Sequence, residues 1–213
     1  MARSLIERRS VLWLAAVAAL GLPVASPAQD FSQVATSIQK LYDALLAVMK
    51  AGAGVSFMQR YASLVTPVTQ ALDLPTILQV AVGPLWSAIP AAQQSTLLAA
   101  FQKYTVATYV SQFESYSGER FNVLPGLRAL PNGDQTLRSQ IVEGSGTVHA
   151  IDYVMRPVGG GWKAVDVLLD GSISRVAVLR SDFRRLLTRG GPTELASFLQ
   201  QKATDLSAST SPP

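Results

Sequence analysis

The chain contains no cysteine and one histidine in 213 residues. Without cysteine it has no disulfide framework and no thiol nucleophile, and a bacterial lipoprotein anchor would lack its attachment residue. A lone His149 leaves a zinc site with essentially no ligands. The G-x-S-x-G elbow is also missing, so nothing supports a serine triad around that histidine, and His149 reads as an ordinary strand residue. Charge is sparse too. Charged residues make up 15% of the chain, and the formal net charge is +4. Three arginines and one glutamate fall in the first 28 residues, which leaves 15 Lys+Arg against 13 Asp+Glu, or +2, in the remainder. So small a surplus, with no interleaving of basic and aromatic residues, gives no footprint for nucleic acid. The run Gly159-Gly160-Gly161 joins two strands and is a turn, not a phosphate cradle.

What the chain does have is apolar material, at 48% of residues, enough for the core of one domain. It begins with the pattern of an export signal. Arg3, Arg8 and Arg9 precede the apolar run VLWLAAVAALGL, and Ser26 and Ala28 take the −3 and −1 places of a cleavage site. Those twelve residues fall short of the ~20 needed to cross a bilayer. The expectation is a cleavable signal over residues 1–28 that exports the rest of the chain. Arg8-Arg9 resembles a twin-arginine signal, while Glu7 and Trp13 depart from its usual flanks, so both the Sec and the twin-arginine routes stay open.

Residues 29–206 then read as a single domain, with helices over 30–117, a sheet over 119–170, closing helices over 175–206 and a disordered tail over 207–213. Phe31, Val34, Ile38, Leu41, Leu45 and Val48 form the stripe of a first helix ending near Gly52. Ser56 is the expected cap of a second helix, which Pro67 should kink or interrupt. Asp73-Leu74-Pro75 reads as a restart and Gly83-Pro84 as a break. Pro90 opens a long helix with Leu97, Phe101, Tyr104, Thr108, Tyr109, Phe113 and Tyr116 along one side, ended by Gly118.

The pattern next switches from helical to alternating. Residues 120–124, 135–142, 147–156 and 162–169 read as four strands separated by PNGD, EGSG and PVGGG, the spacing of an antiparallel meander. In the last of them strict alternation puts Trp162, Ala164 and Leu168 on one face and Lys163, Val165, Val167 and Leu169 on the other. The chain then returns to helix, and Gly190-Gly191-Pro192 separates off a final one. Helices gathered on one side of a sheet make an α+β arrangement.

Polar groups that could do chemistry are few. Asp152, Tyr153 and Asp166 on a curved sheet have the composition of some small isomerases, in which burial sets an acid's protonation state. The competing account has Asp166 hydrogen-bonded to backbone or to a helix and Asp152 facing solvent, and no further groups complete a reaction. Arg180, Arg184, Arg185 and Arg189 form either a solvated helix face or a docking surface for a membrane protein or anionic headgroups. The aromatic excess on the helices fits a filled core or a hollow one that takes an apolar guest.

Three segments, Y-S-G-E-R-F, W-K-A-V-D-V-x-x-D-G-S-I-S and R-S-D-F, within a likeness extending over about residues 31–206, resemble the MlaC-type periplasmic phospholipid-binding proteins, the toluene-tolerance family. Upstream, MKAG, RYASLVTP and DLPTILQVAVGPLW look closest to its hopanoid-associated branch. The resemblance implies a strongly curved four-stranded antiparallel sheet of the nuclear-transport-factor-like cone, covered by N- and C-terminal helices around an apolar cavity. It implies a monomeric carrier, not an enzyme, with no cofactor. Its ligand would be a phospholipid or a hopanoid, and its partners an inner-membrane lipid transporter and an outer-membrane lipoprotein complex. The lining expected from the helices is Leu78, Val82, Trp86, Phe101, Tyr104, Thr108 and Tyr109. From the strands it is Phe121, Val123, Ile151, Tyr153, Met155, Val165, Val167 and Leu169. The arginines at 180, 184, 185 and 189 would face a partner. The alternative to a carrier is an isomerase or hydrolase acting through Asp152 and Asp166.

Overall fold

A computed structural model describes residues 27–209; the expected leader up to residue 26 and the last four residues lie outside the described part. The helices form where capping and apolar periodicity agree. Helix α1 (Pro27–Ala51) buries Val34, Ile38, Leu41, Tyr42, Leu45 and Val48 along one stripe and gives way to a 3-10 turn at Gly52–Gly54. Ser56 then caps α2 (Phe57–Ala71) through a reciprocal box: its hydroxyl accepts from the Gln59 N–H at 3.3 Å, and the Gln59 side chain accepts from the Ser56 N–H at 3.1 Å. Of the two effects expected of Pro67, a kink or an interruption, the interruption does not occur: α2 runs through it. The proline removes a single backbone bond near the end of a helix held down by the buried Leu64, Val68 and Ala71 on either side. Asp73 accepts from the Thr76 N–H and starts α3 (Leu74–Val82); a 3-10 segment at Gly83–Ala88 leads to α4 (Ala91–Gln112).

The sheet is a meander of five antiparallel strands, β1 (Arg120–Ala129), β2 (Gln135–Val142), β3 (Val148–Val158), β4 (Gly161–Leu169) and β5 (Ile173–Ser174), in that spatial order. The expected count of four is therefore corrected by one. After Leu169 the chain reverses through Asp170 (φ 50°) and Gly171 (φ 69°) and pairs Ile173 and Ser174 back onto Leu169 and Leu168. Two residues are too few to carry a periodic signal. Strand β1 also outlasts its expected end. It continues past Pro125-Gly126 by an irregularity between Val123 and Leu127, where a proline costs no ladder bond.

Helix α5 (Arg175–Ser209) closes the molecule against α3 and α4. It breaks at Gly190 (φ −145°, ψ 15°) and Gly191 (φ 65°, ψ −160°), where the sequence separates two helices, and it runs three residues beyond the expected end at 206. One continuous core joins all layers, from Leu41 and Leu64 through Leu97 and Phe101 to Met155, Phe183 and Leu199. On the open edge of β4, the Asp73 N–H donates to the Ala164 carbonyl at 2.8 Å and the Ser37 hydroxyl donates to the Trp162 carbonyl at 2.8 Å, so α1 and the α2–α3 junction cover strand groups that would otherwise lack partners.

Candidate functional site

An apolar pocket of about 190 Å³ lies where α1, α3, α4 and the start of α5 meet the sheet. Helix α4 supplies its longest wall. Phe101, Tyr104, Thr105, Thr108, Tyr109 and Gln112 recur every three or four residues, a single helical stripe, and Phe113 at the C-cap extends it. Thr105 and Thr108 are back-bonded to the carbonyls of Phe101 (2.8 Å) and Tyr104 (2.9 Å), which satisfies their hydroxyls within the helix. The sheet contributes Ile141, Ile151, Tyr153, Val167 and Leu169; α5 contributes Arg175, Val176 and Leu179.

Burial orders these residues from floor to rim. Tyr42, Leu45, Leu72, Leu74, Phe101 and Tyr153 are buried, whereas Phe113, Ile141, Ile151, Leu169 and Arg175 are half-buried and Gln112 is exposed. The floor is aromatic. The Tyr42 ring packs on Phe121 at 4.9 Å and edge-on to Tyr153 at 6.2 Å, and its hydroxyl shares a 2.6 Å hydrogen bond with Ser139, which itself bonds the Ile151 carbonyl. Burial pushes the Tyr153 and Tyr109 phenols well above their ordinary range, with the neighbouring phenols adding to it, so both stay neutral donors.

Eight of the expected lining residues border this pocket: Phe101, Tyr104, Thr108, Tyr109, Ile151, Tyr153, Val167 and Leu169. Seven do not. Leu78, Val82 and Met155 are consumed by the core, and Trp86 sits half-buried on the 3-10 segment away from the pocket. Phe121 lies behind the floor, against Tyr42 and Phe113, and Val123 packs on the core beside it on β1.

Val165 is displaced for a different reason. The β3–β4 register runs Val154↔Asp166 and then Met155↔Ala164, so Val165 is an extra residue with no partner. This bulge reverses the alternation. Trp162 and Ala164 therefore share a face with Val167 and Leu169, where strict alternation sets them on opposite faces. Residues that the sequence reading did not place here include Tyr42 and Leu45 of α1, Leu72, Leu74 and Ile77 around α3, and Arg175, Val176 and Leu179 of α5. Only the apolar stripe of α1 signalled any of them.

Of the polar candidates, Asp166 is structurally occupied. The carboxylate of Asp166 accepts from the backbone N–H groups of Val167 (2.8 Å) and Val176 (3.1 Å) and from the Ser174 hydroxyl (2.5 Å), and Ser174 accepts from the Ala177 N–H at 3.0 Å. Together they cap α5. Asp152 sits half-buried opposite Arg138 and Leu168 and does not border the pocket. His149 is exposed, 2.8 Å from Glu143. It lies on a second, polar cavity of about 430 Å³ that shares Gln112, Phe113 and Ile141 with the first. Arg180, Arg184, Arg185 and Arg189, expected to face a partner, are all exposed; Arg185 meets Asp182 at 3.6 Å, Arg189 meets Glu194 at 2.6 Å, and Arg180 lies against Gly83. Among the described residues no cluster of His, Cys, Asp and Glu could hold a metal, and no helix is long and apolar enough to cross a membrane.

Comparison with known proteins gives two findings. The family model described as MlaC protein matches residues 39–201. The solved structure of a phospholipid-binding protein from Ralstonia solanacearum, in complex with a phospholipid, is similar in fold at a TM-score of 0.70 and 22% identity, covering 82% of this chain and 98% of that one. No curated protein matches the chain in sequence.

Proposed function

This chain belongs to the MlaC family, and from that premise we propose that it is a lipid carrier which holds acyl chains in the pocket between sheet and helices. One observation supports this most directly. The pocket runs from a buried aromatic floor to a half-exposed rim, and its threonine hydroxyls and aspartate are already bonded inside the protein. A wall of that kind offers methylene groups a place out of water and offers a reaction very little. Each methylene moved there contributes about 0.8 kcal/mol, so affinity does not require a network of headgroup contacts.

The pocket must widen to take a whole lipid. The route we infer is rotation of Phe113, which stands between the two cavities of about 190 and about 430 Å³; joined, they fall within the roughly 300–1,000 Å³ usual for ligand sites. Phe113 is suited to this because it lies beyond the last helical residue and is only half-buried. The protein would work in the periplasm after removal of its leader and exchange cargo with an inner-membrane transporter and an outer-membrane lipoprotein complex, with the arginines of α5 presented to one of them. A phospholipid is the favoured cargo; a hopanoid is the other candidate.

Native mass spectrometry and organic extraction of the purified protein test this reading. The expected result is about one lipid per chain, and protein that carries no lipid and takes none from vesicles would refute it. An isomerase or hydrolase acting through Asp152 and Asp166 would instead require one of those carboxylates to reach a substrate.

A further inference from the structure

The rim of the pocket holds one side chain that its apolar character does not explain. Arg175 is the sole cation among the lining residues; it is half-buried, and among the described residues its guanidinium has neither a hydrogen bond nor an ion pair. The one carboxylate that also lines the pocket, Asp166, has both oxygens bonded to Val167, Val176 and Ser174. Stability does not account for the arginine either. It is the first residue of α5, which has no acidic residue in its first turn, and a cation there opposes the helix dipole. Its charge nonetheless reaches the interior, since it works against the upward shift that burial imposes on the Tyr109 phenol.

We propose that Arg175 receives the anionic group of the cargo, a phosphate or carboxylate held at the rim while the chains occupy the pocket, so that the carrier selects lipids bearing a net negative charge. This rests on the carrier reading and adds to it the class of ligand. A guanidinium is suited to the task because it stays charged, offers a planar fork of donors, and is weakly hydrated enough to sit at the edge of an apolar site. Gln112, exposed on the same rim at the end of α4, provides an amide that can donate to the same group.

The experiment loads delipidated full-length mature protein from vesicles containing phosphatidylglycerol, phosphatidylcholine or diacylglycerol, each diluted in the same carrier lipid. Bound lipid is counted by mass spectrometry for the wild type, Arg175→Gln and Arg175→Lys. Wild type should take phosphatidylglycerol over both phosphatidylcholine and diacylglycerol by about tenfold, the scale of one charge-assisted hydrogen bond. Arg175→Gln should lose that preference and keep its uptake of diacylglycerol, and Arg175→Lys should retain part of the preference. Removing a cation from the first turn of α5 should leave the fold intact, which a melting curve checks. Uptake of phosphatidylcholine or diacylglycerol equal to that of phosphatidylglycerol by the wild type, or an unchanged preference in Arg175→Gln, overturns the assignment and leaves the carrier intact; uptake of no lipid by any variant overturns the carrier itself. Millimolar inorganic phosphate that displaces no lipid but raises the melting temperature as much as phosphatidylglycerol does would make this a free-phosphate site and end the lipid version.

Discussion

Replacing Val167 with tryptophan tests the pocket where its position is best defined. Val167 lies on β4 opposite the buried Tyr153, two residues beyond the bulge, and borders the pocket. A methylene needs about the volume of a liquid water, roughly 30 Å³. The pocket of about 190 Å³ therefore takes about six such groups, and at about 0.8 kcal/mol each they contribute ~5 kcal/mol to binding. An indole in place of an isopropyl group, packed at interior density, fills roughly half of that space. The loss is then about 2.5 kcal/mol, a roughly 50–100-fold rise in Kd. Overpacking costs typically ~1–3 kcal/mol of stability, so each variant needs a denaturation curve beside its binding curve. Leu168→Trp is the control, because the neighbouring side chain is opposite Asp152 and borders neither of the two cavities. Titration with a fluorescent phospholipid should show weak binding for Val167→Trp and near-normal binding for Leu168→Trp. Full affinity in a folded Val167→Trp protein would refute the placement of the acyl chains.

Other outcomes follow from the same geometry. Asp166→Ala strips the cap from α5 and leaves the N–H groups of Val167 and Val176 without their acceptor, so urea denaturation should show a loss of about 2–4 kcal/mol, with Asp166→Asn losing about half as much because an amide oxygen still accepts; a neutral effect of the alanine would argue against a structural role. Asp134 is buried just ahead of β2 and accepts from Arg156 at 2.8 and 2.7 Å, and that arginine holds its carboxyl below the usual range. A depressed acid stabilises the fold above its unfolded pKa of about 4, and that contribution disappears as pH falls through the lower folded value. Asp134→Asn should thus cost about 1–3 kcal/mol at neutral pH, and the gap to wild type should narrow on acidification below about pH 4; a gap independent of pH would refute the linkage. Reversing the exposed Arg184 and Arg185 to glutamate should slow lipid transfer to acceptor membranes bearing the partner complex while leaving bound lipid unchanged, and normal transfer would return these residues to the solvated face.

Local patterns carried much of the architecture. The stripe of α4 is periodic enough to identify Phe101, Tyr104, Thr108 and Tyr109 as one face, and those four line the pocket. PNGD, EGSG and PVGGG mark three reversals of the meander, and Gly190-Gly191 marks the break in α5. These signals are readable because each is set by the backbone preferences of a few adjacent residues. Other features depend on distant parts of the chain. Whether Leu78 or Ile77 meets the pocket is decided by how α3 rotates against α5, for both are buried apolar residues on one short helix. The bulge at Val165 exists only relative to β3, and by adding one residue it moves Trp162 and Ala164 to the face of Val167. Arg175 stands outside the arginines that the sequence singles out at 180, 184, 185 and 189; it reaches the pocket rim because the two-residue β5 turns the chain back and starts α5 there. Sequence thus determined the elements and their apolar faces, while long-range pairing and helix docking decided which of those faces were left open.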